Sequence, residues 1–135
     1  MDAAESSMWW YRALHRRLIA ALADAGGAVL DAGCGTGGLL AHLRSVRRDL
    51  RLTGLELTEP AARRAATKAG VPVARGSIDA LPFADQAFDV AIAADLLCHA
   101  AVEPAKALSE LRRVLRPAGR LIVNMPAYRW LLSAH

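Results

Sequence analysis

The sequence predicts an α/β domain: a doubly wound, mostly parallel sheet of about five strands flanked by helices, with one further helix at the N-terminus. Three observations predict it. Short apolar runs alternate with amphipathic stretches of helical period along the chain. The fourth run, "FDVAIAAD", is apolar nearly throughout, as a strand covered on both faces of a parallel sheet is. The punctuation agrees, since one helical stretch opens on Pro60 and closes at Gly70. At 135 residues, 54% of them hydrophobic, the chain can build one core and reads as a single domain over residues 1–135.

The elements follow in order. Residues 7–25 form a helix with Trp10, Leu14, Leu18 and Leu22 on one side, and Trp10 is expected to dock on the core. Trp9 and Tyr11 cannot share that stripe, so a lid role stays open for them. "GGAVLDAG" is a short buried strand ending near Asp31. "GLLAHLRSVRR" is a helix with Leu39, Leu43 and Val46 inward and its arginines outside. "LRLTGLEL" is the second strand, "EPAARRAATKAG" the next helix and "VPVARGS" the third strand. After the turn "LPFADQA", "FDVAIAAD" makes the fourth strand. "EPAKALSELRRVL" is a helix with Ala107, Leu108, Leu111 and Leu115 inward. "RPAGR" is then a turn and "RLIVNMP" the fifth strand.

Composition excludes several classes. The net charge is +4, but the arginines fall in separate groups and aromatics make up only 5%. That pattern suits solvated helix faces better than a nucleic-acid surface, so no nucleic-acid partner is expected. Cys34 and Cys98 form no ligand pattern, so neither a metal site nor a disulfide framework is expected. A reduced, cytoplasmic setting is the default. No apolar run approaches ~18 residues and the N-terminus lacks a signal-peptide pattern, so no membrane partner is expected.

The chemistry begins at "VLDAGCGTGGLL". The first strand ends at Asp31, and Gly33, Gly35 and Gly37 follow where ligands bind in such sheets. Without Cβ atoms these residues let the backbone come close to a ligand. No lysine follows as in a phosphate-binding P-loop. Gly33, Gly35 and Gly38 also satisfy GxGxxG, so the loop alone leaves a nicotinamide dinucleotide open. Glu56 lies about 20 residues past the loop at the end of the second strand, where a carboxylate can accept both hydroxyls of a ribose. Loop and acid together point to an adenosine-bearing ligand.

These residues resemble a known family. "VLDAGCGTG", "LPFADQAFDVAIAADLLCHA" and "ALSELRRVLRPAGRLIVNMP" are similar, in that order, to the first motif, the fourth-strand region and the following helix, turn and fifth strand of class I S-adenosylmethionine-dependent methyltransferases. The "methyltransferase type 11" group, with its Rossmann-like sheet, is the best match. The resemblance implies S-adenosylmethionine as cofactor, S-adenosylhomocysteine as product and a small-molecule methyl acceptor. It implies that Asp31, Gly33, Cys34, Gly35 and Gly37 border the methionine part, with Asp31 near the ammonium group. Glu56 would hold the ribose, Leu57 and Ile78 would lie against adenine, and Asp95 would stand near the methionine end. Ser77 replaces an aspartate that many relatives use for the adenine amino group, and Asp79 reads as solvated. His99 matches a family histidine and is a weak candidate for a general base; a packed structural histidine is the plainer reading. Transfer from a sulfonium needs little acid–base help, so no catalytic side chain is assigned.

The chain departs from the family at its end, "VNMPAYRWLLSAH", where the family continues with a helix and two more strands. A C-terminally short domain is expected, its fifth strand an open edge covered in a homodimer. The alternative is a truncated or partner-dependent cofactor-binding module without turnover of its own.

Overall fold

The computed structural model describes residues 8–97 and 99–125. Among them run α1 (Trp9–Ala21), β1 (Ala28–Ala32), α2 (Gly38–Val46), β2 (Arg51–Glu56), α3 (Glu59–Ala69), β3 (Val73–Arg75), β4 (Phe88–Ala94), α4 (Pro104–Val114) and β5 (Leu115–Asn124). The strands form one five-stranded sheet in the order β3-β2-β1-β4-β5. Every pairing is parallel, as the alternation of strands with helices and the apolar fourth strand predict. Cys98 and the tail 126–135 lie outside the described residues, so the expectations placed on them are not addressed.

β1 is buried at all five positions because its side chains enter a core on each face. Val29 joins Leu40, Leu43, Leu52 and Ile92 beneath α1, α2 and α3. Leu30 joins Ala91, Ala107, Leu111 and Val114 on the α4 side. Alternate residues of β4 divide in the same way, Val90 and Ile92 to one core and Ala91 and Ala93 to the other. α3 meets the sheet and α2 with Ala62, Ala65 and Ala69, small enough for close approach. It starts with Pro60 in its first turn and ends on left-handed Gly70, as read from the sequence.

Four expectations need correction. Val46 is exposed, because it is the last residue of α2 and lies past the Leu39–Leu43 contact. Leu108 is also exposed: the buried stripe of α4 is centred on Ala107, Leu111 and Val114, and Leu108 lies at its margin. Leu115 is already the first residue of β5, so α4 enters the strand with no loop between them. The turn over 116–120 becomes a slip of register inside β5, where Phe88 faces Leu115 but Val90 faces Arg120.

Some of the arginines are not solvated decoration. Arg47 donates to the carbonyls of Leu22 and Ala25 at 2.6 Å each and pairs with Asp49, tying the end of α1 to the turn before β2. Arg113 donates to the carbonyls of Leu81 and Phe83 and pairs with Glu110 and Asp85, fixing the crossing from β3 to β4. Arg120 joins β5 to Asp24 and the Ala21 carbonyl at the end of α1. Among the described residues no helix is long and apolar enough to cross a membrane, and no cluster of His, Cys, Asp and Glu could hold a metal.

Candidate functional site

From β1 the chain winds outward to β2 and β3, and then returns to β4 on the other side of β1. The crevice at this reversal lies beyond the carboxyl ends of β1 and β4. A cavity of ≈ 120 Å³ opens there, lined by Tyr11, Leu14, Asp31, Gly33, Gly35 and Asp95 among others.

The loop after β1 is fastened from inside. The amides of Gly33 and Cys34 both donate to the Leu55 carbonyl, at 2.8 and 2.9 Å. The Gly35 amide donates to Glu56 Oε2 at 3.0 Å, and the Gly37 amide to the Cys34 carbonyl. Gly33 has φ +75°, and a Cβ there would meet the Leu96 side chain at 2.8 Å. Gly37 is left-handed at the start of α2, and its missing Cβ makes way for the Ala65 backbone at 2.7 Å. It therefore packs against α3, while Gly38 lines the cavity. Gly54 does a similar service from β2, since a Cβ there would strike Leu40 and the Cys34 sulfur.

Two carboxylates face this loop. Asp31 is only 3% exposed, and no cationic side chain among the described residues pairs with it. Burial first, and the neighbouring Glu56 second, push its carboxyl up to about 7. Glu56 is half-buried; besides Gly35, it accepts the Thr58 amide at 3.2 Å and the Thr58 hydroxyl at 3.3 Å. Burial, with Asp31 and Glu56 behind it, pushes the Cys34 thiol up to about 12, so it stays protonated and serves as a packed apolar group.

Asp95 stands across the crevice at φ +56°, a strained conformation for a residue with a side chain. Asn124 holds it there: its side-chain amide donates to Asp95 Oδ1 and its carbonyl accepts the Asp95 amide, both at 2.8 Å.

Thus the cavity brings together Asp31, Gly33, Cys34, Gly35 and Asp95, and Gly35 links Glu56 to them. Leu57 is exposed past the end of β2, with Ser77 and buried Ile78 just past β3, none of them lining that cavity. The Ser77 hydroxyl accepts the Asp79 amide. Asp79 is not simply solvated: Oδ2 accepts the Glu103 amide ahead of α4, and Oδ1 is buried without a partner among the described residues. His99 is neither packed nor at the cavity; its side chain is exposed and its backbone closes the turn between Leu96 and Val102. Trp10 is 39% exposed rather than docked, because the buried stripe of α1 fades above Leu18. Sequence reasoning missed Thr58, Gly54 and Asn124. Only Asn124 carried a signal, a polar residue at the carboxyl end of an apolar strand.

The sequence model of the methyltransferase domain family matches residues 30–123. The chain belongs to this family. The demethylmenaquinone methyltransferase of Thermus thermophilus is 41% identical over 109 residues, covering 76% of this chain and 49% of that protein. An S-adenosylmethionine-dependent methyltransferase of Thermotoga maritima superposes with TM-score 0.67 at 32% identity, over 81% of this chain and 48% of its own. The PH0226 protein of Pyrococcus horikoshii superposes with TM-score 0.77 at 29% identity, over 94% and 63%. The methyltransferase-family chain spans 30–49% of the length of the curated relatives it matches.

Proposed function

We propose that the chain binds S-adenosylmethionine at the carboxyl ends of β1 and β2 and serves methyl transfer to a small-molecule acceptor. The observation that carries this is the pairing of a buried carboxylate, without a cationic partner among the described residues, with a glycine loop whose amides are already used. A loop that grips a pyrophosphate needs free amides aimed at it. Here the amides of Gly33, Cys34, Gly35 and Gly37 are bonded internally, and Asp31 and Glu56 would repel a phosphate. A ligand with an ammonium group and a ribose fits both carboxylates.

Asp31 receives the ammonium, and Gly33 and Gly35 let the methionine part lie against the backbone. Glu56, held by Gly35 and Thr58, presents its carboxylate to the ribose hydroxyls. Leu57 and Ile78 face adenine, and the Ser77 hydroxyl takes the place of the family's aspartate. When bound, S-adenosylmethionine would supply an electrophilic methyl on sulfur for a nucleophilic acceptor, with its ammonium held by Asp31 and its ribose by Glu56. The protein's share is to align the acceptor and exclude water. The relatives' greater length supports a second reading, in which another segment or a partner completes the acceptor site.

Calorimetric titration with S-adenosylhomocysteine, with NAD as control, tests the proposal. Binding of the first alone is expected; binding of NAD alone, or of neither, overturns it. Turnover with added acceptors then separates the two readings.

A further inference from the structure

A second, larger cavity of ≈ 540 Å³ adjoins the first, within the range of small-molecule sites. Leu14 and Asp95 line both, so the two share a wall. The α1 wall of the larger one is Trp9, Trp10, Ala13, Leu14 and Arg17. From Trp10 the spacing is i, i+3, i+4 and i+7, one face of a helix spanning ~10 Å along its axis. The wall is aromatic at one end and cationic at the other. Trp9 is 80% exposed and Trp10 stacks on Tyr11 with ring centroids 3.9 Å apart, leaving flat indole surface at the opening. Met125 lines the opposite side and is also exposed. Arg17 is exposed and forms no ion pair among the described residues, unlike Arg47, Arg113 and Arg120.

Resting on the cofactor reading above, we propose that this cavity takes an aromatic acceptor bearing an anionic group, its rings on Trp9 and Trp10 and its anion on Arg17. Adjacency to the cofactor cavity across Leu14 and Asp95 marks the occupant as the acceptor, and the charge at the far end of the wall marks it as an anion. Asp95, fixed by Asn124 where the cavities meet, accepts a hydrogen bond from a protic group on the same molecule. A lone guanidinium beside indole faces is suited to a planar carboxylate, which it meets through paired N–H groups.

The test is calorimetry with 3-hydroxy-2-naphthoate and its uncharged isostere 3-hydroxy-2-naphthamide, with and without S-adenosylhomocysteine. The carboxylate is expected to bind about ten-fold more tightly than the amide. Arg17→Gln should bring the two within about two-fold of each other, while Trp9→Ala weakens both. Both side chains are exposed, and an unchanged melting curve confirms the fold of each variant. Equal binding of the two probes, a preference that survives Arg17→Gln, or binding of neither overturns the proposal. Self-association abolished by Trp9→Ala, with no probe bound, would instead assign the wall to a second copy of the chain. Naphthoate binding that fails while S-adenosylhomocysteine binds sinks this inference alone; failure of S-adenosylhomocysteine sinks the cofactor reading, whatever the naphthoate does.

Discussion

Asp31 binds a proton in the folded chain up to about pH 7, while in the unfolded chain it would release it near pH 4. Its folded value is raised, so the stability it contributes is present at low pH and is lost as pH climbs from about 4 to about 7. Asp31→Asn should therefore raise the melting temperature of the ligand-free protein at pH 8 and flatten its rise on acidification; an unchanged profile would remove the buried-charge argument. The same variant should lose cofactor affinity, since the ammonium loses its partner. In the parent protein, affinity for S-adenosylhomocysteine should fall as pH drops below about 7, because Asp31 must give up its proton before the ammonium can pair with it. Glu56 accepts the Gly35 amide and, in the proposed function, the ribose; two variants separate these tasks. Glu56→Gln keeps an acceptor for the Gly35 amide, while Glu56→Ala removes it and should weaken binding by roughly 10- to 100-fold. Equal, unaltered affinities in both would refute the ribose assignment. The positions of Asp31, Gly33 and Glu56 at or just past the ends of β1 and β2 were legible in the sequence because they follow from the fold. Thr58 was not: it reads as an ordinary residue before a helix, and only the structure shows its hydroxyl turned to Glu56.

Each element is legible as far as its own side chains decide its neighbours. α3 could be delimited from Pro60 and Gly70 alone, because capping is a local matter. The inward face of α4 was misjudged at Leu108 because periodicity gives a stripe but not its centre. That centre is set by where α4 meets the sheet, which no local pattern contains. β2 shows the same limit at Gly54, which looks like a weak point in a strand and is instead the space occupied by Leu40 and Cys34. Gly54→Ala should cost about 1–3 kcal/mol by overpacking and disturb the loop that carries Asp31's neighbours. Adding Cys34→Ala should recover part of that loss, measured as a coupling in a double-mutant cycle of chemical denaturation. Additive losses would show that Leu40, not Cys34, bears the strain.

For the molecule as a whole, the parallel sheet was readable because its central strands β1 and β4 are apolar on both faces, and the alternation with helices leaves few topologies. The strand order puts β5 at one edge, and among the described residues its outer side pairs with no strand. Such an edge invites a partner. Sedimentation at rising concentration should show dimers or larger species, and a monomer throughout would exclude pairing through β5. If the cofactor binds as proposed, a molecule whose central carboxylate has no cationic partner among the described residues would also be stabilised by its ligand. A ligand at one hundred times its dissociation constant adds about 2.7 kcal/mol to stability. That is roughly a fifth to a half of a small domain's margin of about 5–15 kcal/mol over unfolding. The amount of intact chain would then follow the supply of methyl donor, with proteases removing whatever molecules the donor leaves empty.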